Sequence, residues 1–187
     1  MKLKKGVTLV ELLIAIALMG TIVIAISTMY IIGFKTFREE LAQSQLESNA
    51  QTILDEITND TKNAQSVEET YDSYASGANS IILKTPAIDS NKAIIYSGNS
   101  MLFDRIIYYY ENNKIHKITF AELSSIRYRE NNIDKVIDNK TLQLNFIYDP
   151  DAVSATLVTI NVSSHQQVGK INRTISLVSK ARLRNHL

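Results

Sequence analysis

The sequence predicts an α+β protein. One long amino-terminal helix, transmembrane in its first half and amphipathic in its second, packs on a carboxy-terminal antiparallel β-sheet domain. Two observations carry this reading. Leu12–Phe34 is a run of 23 residues without charge or proline, and residues 35–66 continue with neither glycine nor proline. From Ser80 onward, short runs that alternate apolar and polar residues are separated by turn-forming residues, which is the period of half-buried strands. The 187 residues suffice for one domain plus a long extra element. Cysteine is absent, which excludes a disulfide framework, thiolate metal sites and a cysteine nucleophile. The formal net charge of +1 gives nucleic-acid binding no electrostatic support.

The apolar helix comes first. At a rise of ~1.5 Å per residue, Leu12–Phe34 spans about 34 Å, enough to cross a ~30 Å hydrocarbon core with a little tilt. Lys2, Lys4 and Lys5 precede the run and the next basic residue is Lys35, so the positive-inside rule places the amino end in the cytoplasm and the rest outside. Gly20 and Gly33 are its soft points, each costing about 1 kcal/mol relative to alanine. Glu11 stands at its mouth, where a carboxylate is disfavoured by up to ~3 kcal/mol unless it is paired. An ordinary secretory signal would have an apolar core of about 7–15 residues and a small-residue cleavage site. A plain membrane anchor fits the length but leaves Glu11 without a role.

The second half of the helix is predicted over 35–66. Ala42, Leu46, Ala50, Ile53, Ile57 and Ala64 recur on one face, while Phe34, Phe37 and Leu41 fall nearly opposite. The apolar stripe therefore changes sides near residues 41–45: the upper part packs on its own domain, and Phe34, Phe37 and Leu41 are candidate contacts to other subunits. Residues 66–80 read as a polar loop. Strands are predicted at Ser80–Thr85 (ending at Pro86), Ala93–Tyr96, Arg105–Glu111 and Lys114–Phe120, the last two joined by a tight turn at Asn112-Asn113. Alternation at Leu142–Tyr148, Val158–Val162 and Ile171–Leu183 predicts a three-stranded meander with loops at 149–154 and 164–170.

Gly6-Val7-Thr8-Leu9-Val10-Glu11-Leu12-Leu13-Ile14-Ala15, preceded by lysines and followed by the long apolar run, resembles the cleavage and methylation signature of type IV prepilins and pseudopilins. The resemblance implies a pilin-like fold and cleavage between Gly6 and Val7 by a prepilin peptidase, with N-methylation of Val7. Glu11 would neutralise the amino terminus of a neighbouring subunit during assembly. The implied organisation is a cytoplasmic leader at 1–6, a transmembrane and assembly helix at 7–34, an amphipathic helix at 35–66 and a β-rich domain at 67–187. Loss of the leader would take the formal charge from +1 to −2.

The implied partners are other pilins or pseudopilins, the peptidase, the inner-membrane assembly platform and the membrane, with no nucleic acid. The implied location is a single-pass membrane protein whose outer domain is periplasmic or extracellular, and then a filament. Val7 stands where the family usually has phenylalanine, and the helix-bending proline of many major pilins is missing near Thr28; both point to a low-abundance subunit. "IIYYYENNKIHKITF" and "ISLVSKARLRN" resemble J-type minor pseudopilins and their minor-pilin counterparts. The alternatives are a pseudopilin of type II secretion or of DNA uptake, and a membrane-tethered adhesin domain that never polymerises.

No catalytic constellation is evident, and the resemblance implies no enzyme and no cofactor. His116, His165 and His186 are dispersed and lie in no metal motif. Tyr108-Tyr109-Tyr110 alternate faces on a strand, so at least one is assigned to the core. Asp149 and Asp151 flank Pro150 and are weak calcium candidates, since an Asp-Pro turn also forms for backbone reasons alone.

Overall fold

The computed structural model describes residues 8–138, 141–168 and 171–184. Helix α1 spans Leu9–Asn63 and is followed by twelve strands: β1 (Ser66–Val67), β2 (Thr70–Tyr71), β3 (Tyr74–Ala75), β4 (Ser80–Pro86), β5 (Tyr96–Ser97), β6 (Ser100–Met101), β7 (Phe103–Glu111), β8 (Lys114–Phe120), β9 (Lys135–Asp138), β10 (Thr141–Asp149), β11 (Leu157–Val168) and β12 (Ile171–Arg182). A 3-10 helix, Ile126–Glu130, lies between β8 and β9. Two compact units divide the chain, Met1–Ala42 and Gln43–Leu187.

The second unit holds the core. One sheet has the order β1-β4-β7-β8-β9, another the order β10-β11-β12, and the pairings within them are antiparallel. The predicted inner stripe of the helix is where burial occurs: Leu46, Ala50, Ile53, Ile57 and Ala64 are buried, and Ala42 is half-buried. Ile53, Leu54 and Ile57 form one core with Ile81 and Leu83 of β4, Ile106 and Tyr108 of β7, Leu144 and Phe146 of β10, and Val158, Ile160 and Val162 of β11. Each fully buried aliphatic side chain contributes roughly 1.5–3 kcal/mol through removal of apolar surface from water. Fold class and layout are therefore as the sequence predicts: a long amino-terminal helix packed on carboxy-terminal antiparallel sheets.

The helix ends at Asn63, three residues before the predicted limit. Ala64 buries its methyl, and the Gln65 amide then donates to the Lys84 carbonyl at 2.6 Å, drawing Ser66–Val67 onto β4 as an edge strand. The stretch 66–80, predicted as a loop, thus contains three short strands. Its β2–β3 hairpin sets Tyr71 5.1 Å from Phe120 and Tyr74 5.4 Å from Tyr109. By alternation Ile82 and Ile107 face away from the main core, yet both are fully buried. The aromatic hairpin gives that second face its cover. Composition suggested a loop because the stretch is polar and its pairings are only two residues long.

The strand predicted at Ala93–Tyr96 is a single bridge, Ile88 to Ile94, followed by the short β5–β6 hairpin. The Asn112-Asn113 turn is found as predicted: both residues have positive φ, 51° and 60°, and Glu111 pairs with Lys114 across it. The β10–β11–β12 meander is also present, but β11 and β12 extend through most of the loop predicted at 164–170. Ser164 is buried and His165 and Gln166 are half-buried, so polar side chains there do not mark a break in the ladder.

Candidate assembly helix

Gly6 and Val7, the predicted processing pair, lie outside the described residues. The described chain opens at Thr8, whose carbonyl accepts the first helical hydrogen bond, from Leu12 N–H at 3.2 Å. Thr8 and Glu11 form a reciprocal cap. The Thr8 amide and hydroxyl donate to Glu11 Oε2 at 2.9 and 3.0 Å, and the Glu11 amide donates to the Thr8 hydroxyl at 3.4 Å. This is the Thr-x-x-Glu capping box, which satisfies two helix-end donors that would otherwise lack partners. Glu11 therefore has a role within its own helix that sequence reading missed, although the spacing to Thr8 signals it. Only Oε2 is engaged by Thr8.

Beyond the cap, the Leu12–Phe34 part of α1 carries no charge and exposes its large apolar side chains. An 18-residue window reaches a mean hydropathy of 2.7 with none of it buried, so the helix is long and apolar enough to cross a membrane. Both threonines of Leu12–Phe34 are satisfied locally: the Thr21 and Thr28 hydroxyls donate to the carbonyls of Leu18 at 2.7 Å and Ile24 at 2.8 Å. Such bonds lower the cost of placing a hydroxyl in hydrocarbon. Phe34, Phe37 and Leu41, the predicted subunit contacts, are 54%, 60% and 47% exposed, and Tyr30 stacks on Phe34 with centroids 6.4 Å apart. Burial on α1 begins at Leu46, just after the predicted change of side.

Within the second unit, a polar network ties the helix to the sheet. Tyr108 donates to Asp60 Oδ2 at 2.6 Å, and Lys117 Nζ reaches Glu56 at 2.7 Å and Asp60 at 2.9 Å. Burial, reinforced by the Asp60 charge, pushes the Tyr108 hydroxyl well above its ordinary range. Burial opposes the Lys117 charge, but Asp60 and Glu56 together outweigh it and hold the ammonium above its usual value. Sequence reading placed at least one of the three tyrosines in the core; it did not show that Glu56 and Asp60, one helical turn apart, would meet that tyrosine and a lysine. Tyr109 instead stacks on His116 at 4.7 Å and donates to Asp134, which also pairs with His116 at 2.9 Å.

The weak calcium candidates are not assembled as a pair. Asp151 Oδ1 accepts from the Ser154 amide at 2.7 Å and from its hydroxyl at 2.6 Å, bonds that hold the carboxyl below its ordinary value. Asp149 uses its backbone carbonyl to accept from Thr156. Among the described residues there is no group of three or more histidine or carboxylate side chains suited to a metal ion.

Residues 1–27 match the family described as the prokaryotic N-terminal methylation motif. Comparisons with curated proteins and with solved structures find no match. The chain thus carries the N-terminal methylation motif, the signature of type IV pilins and pseudopilins, at the head of an exposed apolar helix that leads into an α+β domain.

Proposed function

We propose that the protein is a minor pilin, a non-enzymatic structural and priming subunit of a type IV pilus filament, cut after Gly6 and methylated at Val7. The observation that carries this is the match over residues 1–27 coinciding with a helix that buries none of its apolar window. Before assembly the helix rests in the inner membrane with its amino end in the cytoplasm. Assembly moves it from lipid into a bundle of like helices, where apolar neighbours replace lipid tails. The free Glu11 oxygen then faces the amino terminus of a neighbour, and Phe34, Phe37 and Leu41 pack against adjacent helices. The same chemistry serves a pseudopilin of a secretion or DNA-uptake system.

Intact-mass analysis of protein from the native membrane tests the processing. The expected product lacks Met1–Gly6 and carries one added methyl on Val7, whereas an uncut chain in cells that hold the peptidase would refute the assignment. Crosslinking to other pilins separates a filament subunit from a tethered adhesin. A chain that crosslinks to none of them while filaments are being made is not a subunit.

A further inference from the structure

One side of β12 pairs with β11, and the other is the edge of the three-stranded sheet. The Leu183 amide donates toward β11, to Thr156 at 3.0 Å, while the Arg184 amide points the other way, to Ala64 at 3.3 Å. Amide direction alternates along a strand, so the backbone groups of Thr174, Ser176, Val178, Lys180 and Arg182 point to the free side. Among the described residues they find no backbone partner there. The ladder to β11 is regular throughout and β12 has no proline, so neither of these common devices for blunting an edge is present.

Space lies beside that edge. A groove of about 600 Å³ is lined by Ser44, Glu47, Ser48 and Gln51 of α1 and by Ile175, Ser176 and Leu177 of β12. An added strand would run ~4.8 Å from β12. Side chains turned toward the half-buried Ile175 and Leu177 would meet apolar surface.

The charge of the carboxy-terminal segment is one-sided, although Glu47 of α1 lines the groove opposite it. Residues 152–187 contain five lysines and arginines and no acid. Lys180, Arg182 and Arg184 are exposed at two-residue steps, so they share one face at a spacing of ~6.8 Å. None of the three has an ion-pair partner among the described residues. Opposite charges placed across neighbouring strands attract, and like charges repel. The exposed side chains of β12 include no aromatic ring, which disfavours a single-stranded nucleic acid.

We propose that the free edge of β12 takes up an extended acidic segment of another polypeptide as an additional strand, apolar side chains toward Ile175 and Leu177 and carboxylates toward Lys180 and Arg182. This stands independently of the filament assignment.

The test uses the full-length protein in detergent micelles and a fluorescent octapeptide alternating valine and glutamate. Fluorescence anisotropy should show binding. A peptide of the same sequence and charge, N-methylated at its two central glutamates, should bind at least about tenfold more weakly, since on antiparallel addition those are the N–H groups that face β12 and complete the ladder. Ser176→Pro removes one free-edge N–H without touching the β11 ladder and should weaken binding by a similar factor. The double variant Lys180→Glu/Arg182→Glu changes only exposed side chains, and should transfer the preference to a valine–lysine peptide. In the wild type, hydrogen exchange at the Thr174, Ser176 and Val178 amides should slow when the valine–glutamate peptide is present.

Absence of binding overturns the proposal. So does equal binding of the two acidic peptides, which would mean charge attraction alone. An unchanged preference in the charge-reversed protein overturns it even if Ser176→Pro fails to fold. Self-association of the wild type that Ser176→Pro abolishes would assign the edge to a second copy and overturn the acidic partner.

Discussion

Glu11 answers to two demands at once: one carboxylate oxygen holds the start of its own helix, and the proposed assembly uses its charge. Substitutions separate the two. Glu11→Gln keeps an oxygen acceptor and removes the charge, so the cap should persist while filament incorporation falls. Thr8→Val removes the cap hydroxyl, should cost about 0.5–2 kcal/mol at the helix start, and should leave the charge in place. Hydrogen exchange of the Leu9–Leu12 amides in micelles reads the first effect and an incorporation assay the second. Equal incorporation of Glu11→Gln and wild type would remove Glu11 from docking. Asp104 gives a residue-scale prediction inside the domain. It is fully buried and holds Arg127 at 2.8 Å, the Ser125 hydroxyl at 2.6 Å and the Glu122 amide at 2.9 Å. Asp104→Ala strands these donors and should destabilise by about 3–5 kcal/mol in chemical denaturation.

At the scale of the element, α1 is one helix with two kinds of surface. A fragment starting near Thr36 should fold, because the inner stripe from Leu46 onward and the sheets bury each other. In it, Ile53→Asp puts a charge at a site 6% exposed and should lower stability by several kcal/mol, at the high end of single substitutions. Phe37→Asp alters a side chain 60% exposed and should leave the fragment's melting unchanged within about 0.5 kcal/mol. In the full chain that change should impair assembly. Equal destabilisation by both would place Phe37 in the domain core.

These stripes were legible in the sequence because a helix repeats every ~3.6 residues and burial acts on one side of it. The long strands were legible through alternation, and the Asn112-Asn113 turn through its tolerance of positive φ. Pairings of two residues, as in β1, β2 and β3, are too short for a period to register. The capping box at Thr8 has a clear Thr-x-x-Glu spacing, but a carboxylate at the mouth of an apolar run fits a charge-pairing role as well as a capping one. The tie from Lys117 to Glu56 and Asp60 joins residues about sixty positions apart, and no local pattern reports such a meeting.

For the molecule as a whole, that tie sets the response to base. The Tyr108 hydroxyl and the Lys117 ammonium both have folded values raised above their ordinary 10.0 and 10.5. A group raised on folding contributes stability that is fully present below its unfolded value and is lost as pH rises toward its folded one. The contribution should therefore be constant through neutral pH and decline above about pH 10. Thermal melts between pH 7 and 11 should show this, and Tyr108→Phe, which cannot ionise, should flatten the tyrosine's share of the decline. The same contact has a mechanical side. In a filament, tension reaches the domain through α1, and a pull along the helix axis loads the Leu46–Thr61 contact in shear, so that its bonds share the force rather than failing in turn. Because Lys117 grips two carboxylates one turn apart, sliding by a single turn would offer it only one of them. In the proposed filament this contact would latch the domain against slippage along the helix.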